Sequence, residues 1–186
     1  MLTKWAKNAL RASLSMWRTP TTSLRIKNTA NAWIQVNGVS HGSSSWSSHG
    51  LYVPYVGDSS TDINIRQNYY GSGFVIGSGS TQPTEYDYKL EQMITSGFSS
   101  AVLAFDQSDA NGNPGAKFQF TITNTSNEPI TISEIGTLGY CNQVSNGNVL
   151  LVDRTLLNTP ITIQPGDFAI IVYELYVDIS DLTNLT

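Results

Sequence analysis

The strongest constraint on the fold is a two-residue repeat of apolar side chains in the last third of the chain. Phe118, Phe120 and Ile122 alternate with polar residues, and the alternation resumes at Ile130 after a turn-forming segment. Successive side chains of a strand point to opposite faces of a sheet. The repeat therefore predicts half-buried strands.

Strand signals of this kind recur along most of the chain, separated by residues that favour turns. A hairpin is expected at 164–167, where Gln-Pro-Gly-Asp lies between the last two strands. Many short strands are typical of an antiparallel β-sandwich, of jelly-roll or immunoglobulin-like type. We predict one such all-β domain over 20–186, with an irregular connection at 78–88. The other extended segments are expected at 24–28, 33–36, 51–56, 63–65, 73–77, 101–105, 149–152, 161–163 and 168–177.

The first 19 residues predict a different element, an amphipathic helical arm that ends before Pro20. In a helical projection its basic residues share one face: Lys4, Lys7, Arg11 and Arg18. The opposite face is apolar: Leu2, Trp5, Ala6, Ala9, Leu10, Met16 and Trp17. Such a helix needs a surface to lie against, and another protein subunit is favoured over a membrane surface. Because the chain begins with Met1, we expect the arm to be retained rather than cleaved.

The charge of the chain is unevenly distributed. Residues 1–57 hold six basic and no acidic residues, whereas 58–186 hold four basic and fourteen acidic ones, so that +6 and −10 give the total of −4. An acidic body disfavours nucleic acid as the main ligand. The longest apolar run, 168–173, is too short to span a bilayer. Cys141 is the only cysteine, which excludes an internal disulfide framework.

No group of residues forms a recognisable catalytic signature, so we expect neither an enzyme nor a cofactor. His41 and His49 could ligate a metal across a Ser/Gly-rich loop, but a polar surface loop is the favoured interpretation. The oxygen-rich segment at 106–113 is the one plausible Ca²⁺ site, against a simple turn as the alternative. Its candidate ligands are Asp106, Asp109, Asn111 and Asn113.

Aromatic residues are concentrated in segments that lack regular strand patterns. Exposed aromatic rings are favoured at protein interfaces, and they suit sugar-binding faces. The alternative is that several of these rings belong to the core or fix loops. The predicted ligand or partner surface consists of Trp46, Tyr52, Tyr55, Tyr69 and Tyr70, with Tyr86 and Tyr88 in similar surroundings.

Two longer stretches, within about residues 71–177, carry a recognisable order of strands and turns. The first is GFVIGSGSTQPT at 73–84, followed by YDYKL at 86–90. The second is FTITNTSNEPITISEIGTLG at 120–139, joined by LLVDRT at 150–155 and TPITIQPG at 159–166. This order resembles that of small β-rich structural proteins of tailed bacteriophages. Residues 28–70 lie outside the resemblance.

The resemblance implies a virion component, capsid-decorating or tail-associated, present in multiple copies and without catalysis. Its localisation would be the virion, after synthesis in the host bacterial cytoplasm, and its partners would be other virion proteins and further copies of itself. The charge difference between arm and body suits contacts between neighbouring copies. Two alternatives remain open: a module that binds a host-surface glycan through the Trp46 region, and a protein held at a membrane surface by its arm.

Overall fold

The computed structural model describes residues 3–6, 24–36, 51–52, 65–67, 73–108, 114–141 and 149–176. Nine strands account for most of these residues. They are β1 (Leu24–Lys27), β2 (Trp33–Val36), β3 (Leu51–Tyr52), β4 (Gly73–Gly77), β5 (Phe98–Ser108), β6 (Pro114–Asn124), β7 (Ile130–Cys141), β8 (Val149–Ile163) and β9 (Phe168–Tyr176). The predicted all-β class is confirmed.

The longer strands form two antiparallel sheets, each three strands wide. In the first sheet β7 is central, with β8 along one edge and β3 and β4 end to end along the other. In the second sheet β6 lies between β5 and β9. Strands β1 and β2 form a separate two-stranded hairpin.

Side chains from both sheets meet in one apolar cluster. Phe74 on β4 is fully buried and makes edge-on ring contacts with Phe118, Phe120 and Tyr173 of the second sheet. The two sheets thus contribute side chains to one shared core. The two-residue repeat of β6 therefore faces this core, as the sequence predicted.

The first sheet is also covered on its outer face. Val75, Leu138 and Leu151 point away from the shared core and pack with Leu90, which lies in the irregular connection at 78–93. All five residues of β4 are buried as a result. The connection predicted at 78–88 is thus part of a packed third layer over the sheet. Most loops run over the protein surface, whereas this one is held by a large buried apolar side chain.

The hairpin predicted at 164–167 is wrong. Strand β8 pairs with β7 in the first sheet, whereas β9 pairs with β6 in the second, so the turn carries the chain from one sheet to the other. Buried Asn124 fixes this corner. Its side-chain amide donates to the carbonyls of Glu128 and Ile163, and its backbone exchanges hydrogen bonds with Gly166 and Asp167. The β6–β7 and β8–β9 connections, which both cross from one sheet to the other, are thereby joined at Asn124.

The helical arm predicted over 1–19 is not supported, because the described residues show only one helical turn, at 4–6. Thr3 caps this turn by accepting a hydrogen bond from the amide of Ala6. Thr3 also donates to the carbonyls of Leu151 and Val152 on β8. A bulge at Val152 places two residues of β8 opposite one residue of β7. The carbonyl of Val152 is therefore available to accept the hydrogen bond from Thr3. Residues 7–23 lie outside the described part of the chain.

One polar pair lies between the two sheets. Tyr173 of β9 donates a short hydrogen bond to the carboxylate of Asp153 on β8, and Thr155 donates to the same oxygen. Both partners of the pair are buried. Burial and the nearby carboxylate raise the pKa of the Tyr173 phenol well above its usual range, so the hydroxyl stays protonated and acts as the donor.

Replacing Tyr173 by Phe removes this donor and leaves a buried carboxylate with fewer partners. We expect a loss of about 1–3 kcal/mol in the free energy of unfolding, measured by urea titration. The exposed Tyr86 supplies the matched control, because Tyr86→Phe should change the free energy by less than about 0.5 kcal/mol. Equal effects of the two substitutions would contradict a stabilising role for the pair.

Candidate functional site

A buried arginine organises the outer face of the first sheet. The Arg154 side chain is only 3% exposed. Its Nε donates to Oε2 of Glu134 on the neighbouring strand at 2.7 Å, and its Nη1 donates to Oδ2 of Asp87 at 2.7 Å. Guanidinium–carboxylate hydrogen bonds of this length are among the strongest in proteins. The arginine thus links β7, β8 and the 78–93 connection.

The second terminal nitrogen of Arg154 holds the start of the same connection. Nη2 donates to the carbonyl of Thr81 at 3.1 Å and lies 3.6 Å from Oε2 of Glu91. Glu91 in turn accepts hydrogen bonds from the amides of Ser80 and Thr81. The single positive charge of Arg154 therefore faces three carboxylates. Hydrogen bonds from backbone amides stabilise the negative charge that Arg154 does not neutralise.

Glu134 is the most deeply placed of these carboxylates, with no exposed surface. It accepts hydrogen bonds from the amides of Gly79, Glu91 and Gln92, at 3.1, 3.2 and 2.8 Å. A Cβ atom at Gly79 would lie 2.6 Å from the Glu134 carboxylate, so only glycine lets the backbone approach this closely. The Gly-x-Gly element at 77–79 is explained by this contact.

The protonation states follow from the surroundings. Burial opposes ionisation of Asp87, but hydrogen bonds from Arg154 and Thr84 outweigh it and lower the pKa of this carboxyl below its usual value. Backbone and side-chain hydrogen bonds from Thr81 lower the pKa of Glu91. For Arg154, the opposing carboxylates outweigh burial and raise the pKa of the guanidinium. Arg154, Asp87 and Glu91 are therefore charged at neutral pH, and the ion pairs among them clamp the connection.

The clamped connection carries aromatic residues to the surface beside the N-terminal turn. Trp5 is buried and makes edge-on contacts with two exposed rings, Trp33 at 5.4 Å and Tyr86 at 6.4 Å between centroids. The Trp5 indole also donates to the carbonyl of Tyr86. Trp33 and Tyr86 are each 56% exposed. Two accessible rings thus flank one buried indole.

Three lysines lie over rings of this surface. The ammonium group of Lys27 is 5.5 Å from the Trp33 ring centre and 5.0 Å from that of Tyr88. Lys4 lies over Tyr86, and Lys89 lies over Tyr88. We call this set the aromatic–lysine patch: Lys4, Trp5, Lys27, Trp33, Tyr86, Tyr88 and Lys89.

A second exposed surface lies on the opposite sheet. Phe168, Ile170 and Val172 alternate along β9 and are 64%, 49% and 49% exposed. They share the outer face of the second sheet with the polar Thr121 and Gln119 of β6. The described strands place β9 at an edge of that sheet. We call these three side chains the β9 stripe.

The predicted site residues are placed only in part. Of the arm, Lys4 and Trp5 belong to the patch and contact their own chain, whereas Leu2, Lys7, Leu10, Arg11, Met16, Trp17 and Arg18 lie outside the described residues. Of the aromatic surface, Tyr52 is placed on β3 by its backbone, whereas Trp46, Tyr55, Tyr69 and Tyr70 lie outside the described residues. Tyr86 and Tyr88 are brought together with Trp5 and Trp33, a grouping that the sequence did not predict.

Most residues of the candidate ion sites lie outside the part of the chain that the structure describes. His41, His49, Asp109, Asn111 and Asn113 lie outside the described residues, and Asp106 is placed by its backbone alone. Among the side chains that the structure describes, no group of three His, Cys, Asp or Glu residues could hold a metal ion. No described helix has the length and apolar character needed to cross a membrane.

The arginine clamp was not predicted from the sequence. Its signal was a charged Asp-Arg pair directly after the apolar run at 149–152, together with Glu134 inside an otherwise uncharged strand. Charges in such positions are seldom fully buried unless they are paired. No family model, curated protein or solved structure matches the chain.

Substituting Arg154 by Met should remove the clamp while keeping much of the side-chain volume. Glu134 would then be a buried carboxylate without its cation, and we expect a loss of about 3–5 kcal/mol in the free energy of unfolding, measured by denaturant titration. Adding Glu134→Gln to this variant should recover part of the loss. A single variant as stable as the wild type would show that the clamp does not hold the connection.

Stability should also depend on pH through Asp87. Folding lowers the pKa of Asp87 below its unfolded value of 3.8. The ionised carboxylate therefore stabilises the fold at pH values above 3.8, and this stabilisation is lost as the pH falls through the folded pKa. We expect Asp87→Asn to cost about 1–2 kcal/mol near neutral pH and progressively less on acidification, in urea titrations. Glu128→Gln, at an exposed carboxylate, is the control. A cost that does not change with pH would exclude the charged contact.

Proposed function

We propose that this chain is a non-catalytic structural subunit that assembles in multiple copies, as a capsid- or tail-associated component of a tailed-bacteriophage virion. The observation that carries the proposal is the β9 stripe. Three large apolar side chains are about half exposed or more, along one strand at the edge of a sheet. Exposed apolar groups arranged contiguously on an edge mark association surfaces.

The composition of the surrounding face makes the stripe stand out. On β6, the residues opposite Phe168, Ile170 and Val172 are Thr123, Thr121 and Gln119. When one face of a sheet is solvated, the side chains that point to that face are normally polar on every strand. Among the described residues of this sheet, the exposed large apolar side chains all lie on the edge strand β9. Another chain can reach both the side chains and the backbone there.

The occupant that we assign to this edge is a second copy of the chain. The stripe is symmetric about Ile170, because Phe168 and Val172 lie two residues to either side. Two β9 strands related by a two-fold axis at Ile170 would pair antiparallel, with Ile170 opposite its own copy and Phe168 opposite Val172. Such a contact is self-complementary and closed, as a two-fold interface requires. It would join two three-stranded sheets into one six-stranded sheet.

The phage assignment is supported by the resemblance of residues 71–177 to virion proteins. The resembling segments at 73–84, 86–90, 120–139 and 150–155 include Thr81, Asp87, Glu134 and Arg154 of the arginine clamp, whereas Glu91 lies just outside them. The sandwich that we propose for the body is supported by the core shared between the sheets. Residues 7–19, the remainder of the predicted arm, are proposed to contact a neighbouring subunit.

A charge placed at the centre of the stripe should prevent assembly. We expect Ile170→Lys to shift the protein from dimer to monomer in sedimentation velocity, with a weakening of association of at least about tenfold. Ser99→Lys is the control, since Ser99 is exposed on the opposite edge strand of the same sheet. The Ile170→Lys variant should also be depleted from purified virions, whereas the Ser99→Lys control should not. A wild-type chain that is monomeric at high concentration and absent from virions would overturn the proposal.

A further inference from the structure

We infer that the aromatic–lysine patch is a binding site for an acidic saccharide, a sugar chain that bears carboxylate groups. This site lies on the first sheet and the elements that cover it, so it is separate from the assembly edge on the second sheet. The inference does not depend on the proposed virion function.

The rings of the patch provide the apolar half of the recognition. Trp33 and Tyr86 are more than half exposed, yet each is fixed by an edge-on contact with the buried Trp5. A rigid, exposed ring loses little conformational entropy when it receives a ligand. The C–H face of a pyranose ring is the flat, weakly apolar surface that such rings can cover, which removes apolar area from water.

The lysines provide the charged half. Lys4, Lys27 and Lys89 each lie over an aromatic ring, and none of them has a described carboxylate within 4.0 Å. A cation–π contact positions an ammonium group but does not neutralise its charge. Three positive charges therefore stay available at a surface of a body that is otherwise acidic. A ligand carboxylate would form an ion pair there at little desolvation cost.

This combination selects among ligand classes. A neutral sugar would use the rings and leave the three ammonium groups without a partner. Nucleic acid also offers rings and negative charge, but its closely spaced phosphates would meet the acidic remainder of the body. A sugar chain with one carboxylate per residue or fewer matches the three separate ammonium groups of the patch.

The clamp explains why the site would be preformed. Asp87 lies between Tyr86 and Tyr88 in the chain, and its carboxylate is bound by Arg154 and by Thr84. Thr3 attaches the N-terminal turn to β8, which fixes Lys4 and Trp5. These two anchors hold Tyr86, Tyr88 and Trp5 in place before a ligand arrives, which favours affinity.

The test is calorimetric titration of the full-length protein with a hexamer of galacturonic acid and, in parallel, with the neutral maltohexaose. We expect the acidic hexamer to bind, to weaken as salt is added, and to bind at least about fivefold more weakly to Trp33→Ala and to Lys27→Gln. Lys117→Gln is the control, because it removes an exposed lysine on the other sheet.

The outcomes separate the possibilities. Folding of each variant is checked by its thermal midpoint, and Lys27→Gln keeps every ring of the patch, so its effect reports charge alone. Equal binding of the two hexamers would overturn the acidic specificity. Absence of binding by the wild type at low salt, or an unchanged affinity in both patch variants, would overturn the site. Binding of a short single-stranded DNA in preference to the acidic hexamer would assign the patch to nucleic acid instead.

Discussion

The ion pair between Arg154 and Glu134 is the interaction on which the outer half of the molecule depends. Both side chains are removed from water, which is costly for charged groups unless their hydrogen bonds are satisfied. The cost is offset because the guanidinium reaches Asp87 and Thr81, while the Glu134 carboxylate accepts three backbone amides of the 78–93 connection. A segment without regular secondary structure thereby becomes a packed layer.

The order of that layer determines what the surface presents. The connection carries Tyr86 and Tyr88 to the position where the N-terminal turn contributes Trp5 and the β1–β2 hairpin contributes Trp33. Three parts of the chain that are far apart in sequence thus meet on the outer face of the first sheet. On the second sheet, the β9 stripe is exposed among the residues that the structure describes. The two faces of the molecule therefore suit different interactions.

Much of the strand content could be predicted, because burial on one face imposes a two-residue period that is visible at Phe118, Phe120 and Ile122. The short strands β1, β2 and β4 were predicted for similar local reasons. The pairing of strands was harder to predict. The turn at 164–167 has the composition of a hairpin, yet it changes sheets, because the corner is set by hydrogen bonds to Asn124, some 40 residues away.

The candidate site shows the same division. The sequence by itself determined the all-β class, the half-buried strands and the presence of aromatic residues outside regular strands, since these depend on composition and on contacts between near neighbours. Only the tertiary structure decided that Arg154 lies between Glu134 and Asp87, and that Trp5 packs with Trp33 and Tyr86 of its own chain. The physical reason is that a charge is tolerated in the interior only where distant residues supply its partners. No local pattern specifies which residues those are.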